Sequence, residues 1–121
     1  MNKKIIVATK DAPAALGPYS QGCVYQNFLF ISGQIPLDPK TGQIVKGDIV
    51  KQTIRSLNNI KAILKKAGGT MDDLLKLSIY LHDINDFQKM NEVLASFLKG
   101  TKYPTRTVVG GVDLPRGSKI K

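Results

Sequence analysis

Arg106 says most about its partner, because a guanidinium keeps its charge at physiological pH and presents five N–H donors in a planar fork. It stands in Pro104-Thr105-Arg106-Thr107. Two other short segments also set polar groups beside strand-like apolar sequence: Gly17-Pro18-Tyr19-Ser20-Gln21 and Ser32-Gly33-Gln34. Carried by a strand to the wall of a pocket, Arg106 suits a carboxylate or a phosphate. Tyr19 adds a hydroxyl that can order water or pass a proton while staying neutral. Ser32 offers a second hydroxyl at the end of an apolar strand, and Gly33 an unobstructed backbone N–H. That pair suits a substrate oxygen held in a tight cleft.

Other chemistries lack their residues. Cys23 is the single cysteine and His82 the single histidine, so neither an internal disulfide nor a nitrogen and sulfur zinc set is expected. Cys23 is expected to pack as a small buried residue, and His82 to lie at a strand end. With 121 residues, the chain suits one domain over 1–121 that buries roughly two-thirds of its unfolded surface. It contains no run of about 18 apolar residues, and the apolar stretch within Met1 to Lys10 is too short for a secretory signal. A cytoplasmic protein is expected, with no membrane partner. The net charge of +9, from 18 basic and 9 acidic residues, leaves RNA open as a partner. No RNA-binding signature accompanies it, and solvated lysines account for most of the excess.

The elements that must position these groups alternate between strand and helix. A strand begins near residues 3–7. Cys23-Val24-Tyr25 and Phe28 to Ile31 read as a hairpin closed at Gln26-Asn27, with Asn27 tolerating a left-handed backbone. Asp38 to Gly42 supplies a turn. A long helix runs from an N-cap at Asp48 to Gly68-Gly69, with Val50, Ile54, Leu57, Ile60 and Leu64 as its apolar stripe. Thr70 and Asp73 form a capping pair, and Leu75, Leu77, Ile79 and Leu81 then alternate with polar residues as a strand. A second helix spans Asp86 to Lys99, capped by Asn85 and stopped by Gly100, with Phe87, Met90, Leu94 and Phe97 inward. Thr105 to Val112 and Gly117 to Lys121 return to strand. Two helices cover one face of such a sheet, whereas Phe28 to Ile31 is apolar at every position. The uncovered face therefore predicts a symmetric homo-oligomer.

The segments Ala12 to Gln21, Phe30 to Pro39, Gln52-Thr53, Tyr103 to Thr107 and Leu114 to Gly117 occur in an order and spacing that resemble the Rid (RidA/YjgF, L-PSP) family of reactive-intermediate deaminases. The resemblance implies an α+β, chorismate-mutase-like fold: a mixed sheet with two helices on one face, assembled as a homotrimeric barrel with clefts between subunits. It implies hydrolysis of enamines and imines such as 2-aminoacrylate, 2-iminopropanoate and 2-iminobutanoate to 2-keto acids and ammonia, with no cofactor. Some members carry endoribonuclease or translation-inhibitor names, and a non-catalytic binder of small carboxylates is the other alternative. By the family pattern, Arg106 and Tyr19 are catalytic, and Ser32, Gly33, Asn91 and the backbone at Val108 bind substrate. Two positions depart from it. Val108 stands where many members carry cysteine, and Lys121 where RidA-like chains place a glutamate that orders the attacking water.

Overall fold

The computed structural model describes residues 3–121, and its elements follow from local chemistry. Strand β1 is Ile5–Val7, β2 Gly22–Tyr25 and β3 Phe28–Ile31. They pair antiparallel in the order β1-β2-β3, with Ile6 opposite Cys23 and Cys23 opposite Phe30. The turn between β2 and β3 forms as expected, but Gln26 takes the left-handed conformation (φ 55°), not Asn27. The primed turns that match strand twist need positive φ at their first central residue, and here that residue is Gln26.

Helix α1 spans Ile49–Lys66, and its Asp48 cap accepts a hydrogen bond from the Lys51 backbone N–H at 3.1 Å. It ends where Gly68 turns left-handed (φ 90°) and the Gly69 N–H returns to the Leu64 carbonyl at 2.8 Å. Its buried face differs from the apolar stripe read in the sequence. Ile54 is exposed, whereas Gln52, Thr53, Ser56 and Asn59 are buried with Ile49, Leu57, Ile63 and Leu64. Two of the polar side chains are inward because they satisfy irregular backbone. Asn59 Nδ2 donates to the Leu37 carbonyl at 3.0 Å, and Gln52 Oε1 accepts from the Lys119 N–H at 2.8 Å.

After the Thr70–Asp73 pair, in which the Asp73 carboxylate accepts from the Thr70 backbone N–H at 2.7 Å, β4 runs Lys76–Tyr80. Leu77, Ile79 and Leu81 point inward as the alternation requires. Leu75 precedes the strand and is exposed. Helix α2 is Phe87–Phe97, and its entry also differs from expectation. Asp83, not Asn85, supplies the capping carboxylate, accepting from the Asn85 N–H at the start of a short 3-10 turn that leads into the helix. Strand β5, Thr105–Val109, lies parallel to β4 with Leu77 opposite Arg106 and Ile79 opposite Val108. It ends at Val109, short of Val112: Gly110 passes so close to Ile84 that a Cβ would lie 2.6 Å from the Ile84 Cβ, and Gly111 turns left-handed (φ 72°).

The strands thus form two sheets, one antiparallel and one parallel, and not the single mixed sheet that was expected. The C-terminal segment lies between them. It makes a single bridge, Ile120 with Leu81, flanked by hydrogen bonds between Lys121 and Tyr80, while the Lys121 side chain lies against Gly33. Both helices cover the same side. Helix α1 places Ile63 against Val7 and Ala12, and α1 and α2 together enclose Leu77, Ile79, Leu81, Met90, Leu94 and Ile120. The other face of β1-β2-β3 is open, with Ile6 at 52 %, Phe28 at 52 % and Phe30 at 66 % exposure. Phe28 to Ile31 is therefore covered on only one side within the chain.

Candidate active site

Tyr19 is set by a tight turn. Pro18 fixes the backbone between Gly17 and Tyr19, and the Tyr19 N–H closes onto the Gly17 carbonyl at 2.8 Å. The segment is anchored by Gln21, a residue whose part the sequence did not disclose. Its buried side chain accepts from the Thr9 N–H at 2.7 Å, and its two N–H groups are shared among the Thr9, Ala12 and Pro13 carbonyls at 3.0, 3.2 and 2.8 Å. This one amide satisfies a whole irregular loop, which is why the loop before Tyr19 holds its shape.

Ser32 stands one residue beyond β3 and is tied to the same loop. Its N–H donates to the Gln21 carbonyl at 3.0 Å, and its hydroxyl donates to the Ser20 carbonyl. With that hydrogen bond made, the Ser32 oxygen keeps acceptor capacity, and the Gly33 N–H beside it is the donor of the pair. Tyr19, Ser20 and Ser32 line an open cavity of about 480 Å³ with Ile6, Cys23, Phe30, Ile31 and Lys4. Cys23 is half-buried on this wall and not enclosed in the core. Gly33 lies just past Ser32, exposed, with the Lys121 stem where a side chain would be.

Arg106, Asn91 and Val108 do not line that cavity; they form a second group where β5 meets α2. The Arg106 Nη1 donates to the Asn91 side-chain oxygen, and its guanidinium carbon lies 5.3 Å from the centre of the Phe87 ring. Asn91 and Phe87 sit four apart on α2, so they share one face of the helix and clasp the guanidinium between an amide and an aromatic ring. The contact uses one N–H of five, on a residue that is itself exposed. Asn91 is half-buried and acts on Arg106 in this structure. Val108 turns its side chain into the core beside Ile79, leaving its backbone on the strand edge that β4 does not pair. His82 lies at the strand end as read from the sequence, its Nδ1 3.1 Å from the Val112 carbonyl.

Among the described residues, no group of three or more His, Cys, Asp or Glu side chains could hold a metal ion, and no helix is long and apolar enough to cross a membrane. The chemistry on offer is a cation, a phenol, a hydroxyl and the backbone of an unpaired strand edge. A cation with backbone donors is chemistry suited to a small carboxylate, and a phenol is suited to ordering water, but within one chain these groups stand in two separate places.

The family model described as endoribonuclease L-PSP matches residues 9–121. A RutC family protein of Pyrococcus horikoshii is 53% identical, with 98% of this chain and 93% of that protein covered. The 2-iminobutanoate/2-iminopropanoate deaminase of Mus musculus is 40% identical, covering 96% of this chain and 85% of that one. A crystal structure of a Rid-family protein from Yersinia pestis superposes with a TM-score of 0.95 at 42% identity, over 98% of this chain and 94% of that chain. Because sequence and fold agree over nearly the whole length, the chain belongs to the Rid, or endoribonuclease L-PSP, family.

Proposed function

We propose that this protein is a hydrolytic deaminase of small enamine and imine acids, converting a 2-imino acid and water to the 2-keto acid and ammonia without a cofactor. The observation that carries the reading is the Arg106 guanidinium, clasped by Asn91 and Phe87 beside a free strand edge. A 2-imino acid bears its carboxylate directly beside the C=N bond. A bidentate grip on the carboxylate therefore fixes the orientation of the reacting carbon. The Ser32 oxygen accepts the imine N–H, the Gly33 and Val108 backbones hold the substrate oxygens, and Tyr19 orders water and relays its proton. Water adds to C2, the C=N electrons move to nitrogen, and the resulting carbinolamine expels ammonia as the keto carbonyl forms. Lys121 supplies no carboxylate to order water, so this task falls to Tyr19.

In one chain the Tyr19–Ser32 cavity and the Arg106–Asn91 pair are in different places. In the proposal they complete one another between neighbouring copies of a homotrimer, which also covers Ile6, Phe28 and Phe30 and roofs the cavity. The 2-iminobutanoate/2-iminopropanoate deaminase name of the mouse relative supports the reaction class. The reading places the protein in the cytoplasm, where such imines are released from amino acids.

The test generates 2-iminobutanoate with a threonine dehydratase and follows release of 2-oxobutanoate. Wild type is expected to accelerate release, with kcat/KM about 100-fold lower in Arg106→Ala. A well-folded wild type that gives no acceleration would sink the reading. One observation favours a second function: α1 carries no acidic residue while Lys51, Lys61, Lys65 and Lys66 are exposed along it. RNA cleavage that persists through purification and falls steeply with salt would move the endoribonuclease reading ahead.

A further inference from the structure

The two sheets leave a gap along one edge of β4. Tyr80 and Lys121 exchange both backbone hydrogen bonds at 2.9 Å, and His82 donates to the Lys119 carbonyl at 3.1 Å, whereas Leu75 accepts from Thr105 and Leu81 donates to Val109. Even-numbered residues of β4 therefore turn their N–H and C=O groups toward the C-terminal segment, and odd-numbered ones toward β5. For Ser78 and Lys76 that edge carries no backbone partner among the described residues. Along the same stretch lies a cavity of about 40 Å³, walled by Leu57 of α1, Leu77 and Ile79 of β4, Met90 of α2 and, at its end, Ile120. Thr53 and Ser56 also line it, and their buried hydroxyls have no hydrogen-bond partner.

We propose that this gap accepts an extended peptide from another protein, about five residues long, which pairs antiparallel with β4 and joins the two sheets into one. A run of free N–H and C=O groups is matched by another backbone and by little else. Register then assigns the side chains. Ile120 lies opposite Leu81 and is buried, so with a period of two the peptide residues opposite Ile79 and Leu77 point into the cavity. Hydrocarbon suits that lining, and an inward threonine also offers a partner to Thr53 and Ser56. The residue opposite Ser78 points outward, with exposed Lys76 diagonally across the ladder and Lys121 in line with it, so an acidic side chain there is matched by two cations. Because the gap lies between two sheets, its occupant has neighbours on both sides, which suits a free segment and not the edge strand of a folded second copy. The gap is separate from the open face of Ile6, Cys23 and Phe30, and the proposal does not depend on the deaminase reading.

The experiment titrates the full chain with the capped peptide acetyl-Val-Glu-Thr-Glu-Val-amide and follows amide hydrogen exchange and thermal unfolding. At about ten times Kd, the peptide is expected to slow exchange of the Ser78 amide about tenfold and to raise the unfolding midpoint by about 5 °C. The same peptide N-methylated at its first glutamate keeps every side chain but loses the N–H that pairs with Ser78, and should bind about tenfold more weakly. Lys76→Glu should weaken the parent peptide about threefold. No protection at Ser78, equal binding of the N-methylated peptide, or a Lys76→Glu protein that binds as well as wild type overturns the proposal. So does a Ser78 amide already protected without peptide, and protection that rises with protein concentration then assigns the gap to a second copy.

Discussion

In the proposed reaction Arg106 serves a carboxylate only in one orientation, and Asn91, which accepts a hydrogen bond from it, is the neutral group that would set that orientation. A carboxylate at position 91 would hold the guanidinium more strongly but would also occupy its fork and repel an incoming anion. Asn91→Ala is therefore expected to lower kcat/KM for 2-iminobutanoate about tenfold by freeing the side chain. Asn91→Asp should lower it further and weaken inhibition by 2-oxobutanoate; equal or greater activity in Asn91→Asp would contradict this account. Arg106, Tyr19 and Ser32 stood out as candidates because polar groups beside Pro, Gly and apolar strands combined with the family's motif order; residue type alone left each an ordinary structural reading. The direction of the Ser32 proton and the anchoring by Gln21 could not. They depend on which carbonyls, at Ser20 and at Thr9 to Pro13, fold back within reach.

The hairpin between β2 and β3 shows how an element tolerates a poor residue. Gln26 carries a side chain at φ 55°, a conformation that costs a non-glycine residue about 1–2 kcal/mol. Gln26→Gly removes that cost and adds back some unfolded-chain entropy, so a net gain of about 0.5–1 kcal/mol is expected in urea denaturation. Destabilisation would show that the Gln26 side chain has a further partner. The ends of α1 were legible because capping is local: Asp48 and Gly68-Gly69 act on neighbours in sequence. Its buried face was not, because Gln52 and Asn59 look solvent-facing until the partners at Lys119 and Leu37 are known. Both partners are far away in the chain. The same limit explains the single mixed sheet read from sequence, since strand patterns reveal the faces but not the edges that pair.

At the scale of the molecule, the row Ile6, Cys23 and Phe30 with Phe28 presents apolar surface that two helices on the far side leave open. Burying it between copies predicts a wild type that light scattering reports as an oligomer at micromolar concentration, and a Phe30→Asp protein shifted toward the monomer with its fold intact by circular dichroism. A wild type that stays monomeric at all concentrations would remove that role for the face. The buried polar side chains of α1 carry a different consequence. The Lys119 amide rests on Gln52, whose own amide reaches the Val45 carbonyl at 3.4 Å, while Asn59, two turns on, holds Leu37. The loop at 37–45 and the C-terminal segment, remote in sequence and both outside the regular sheets, are thereby fastened to one helix. When α1 opens transiently both lose a shared anchor, so the loop is expected to exchange its amide protons with the helix, while the C-terminal segment keeps its hydrogen bonds to Tyr80 and His82 and opens fully only when β4 does.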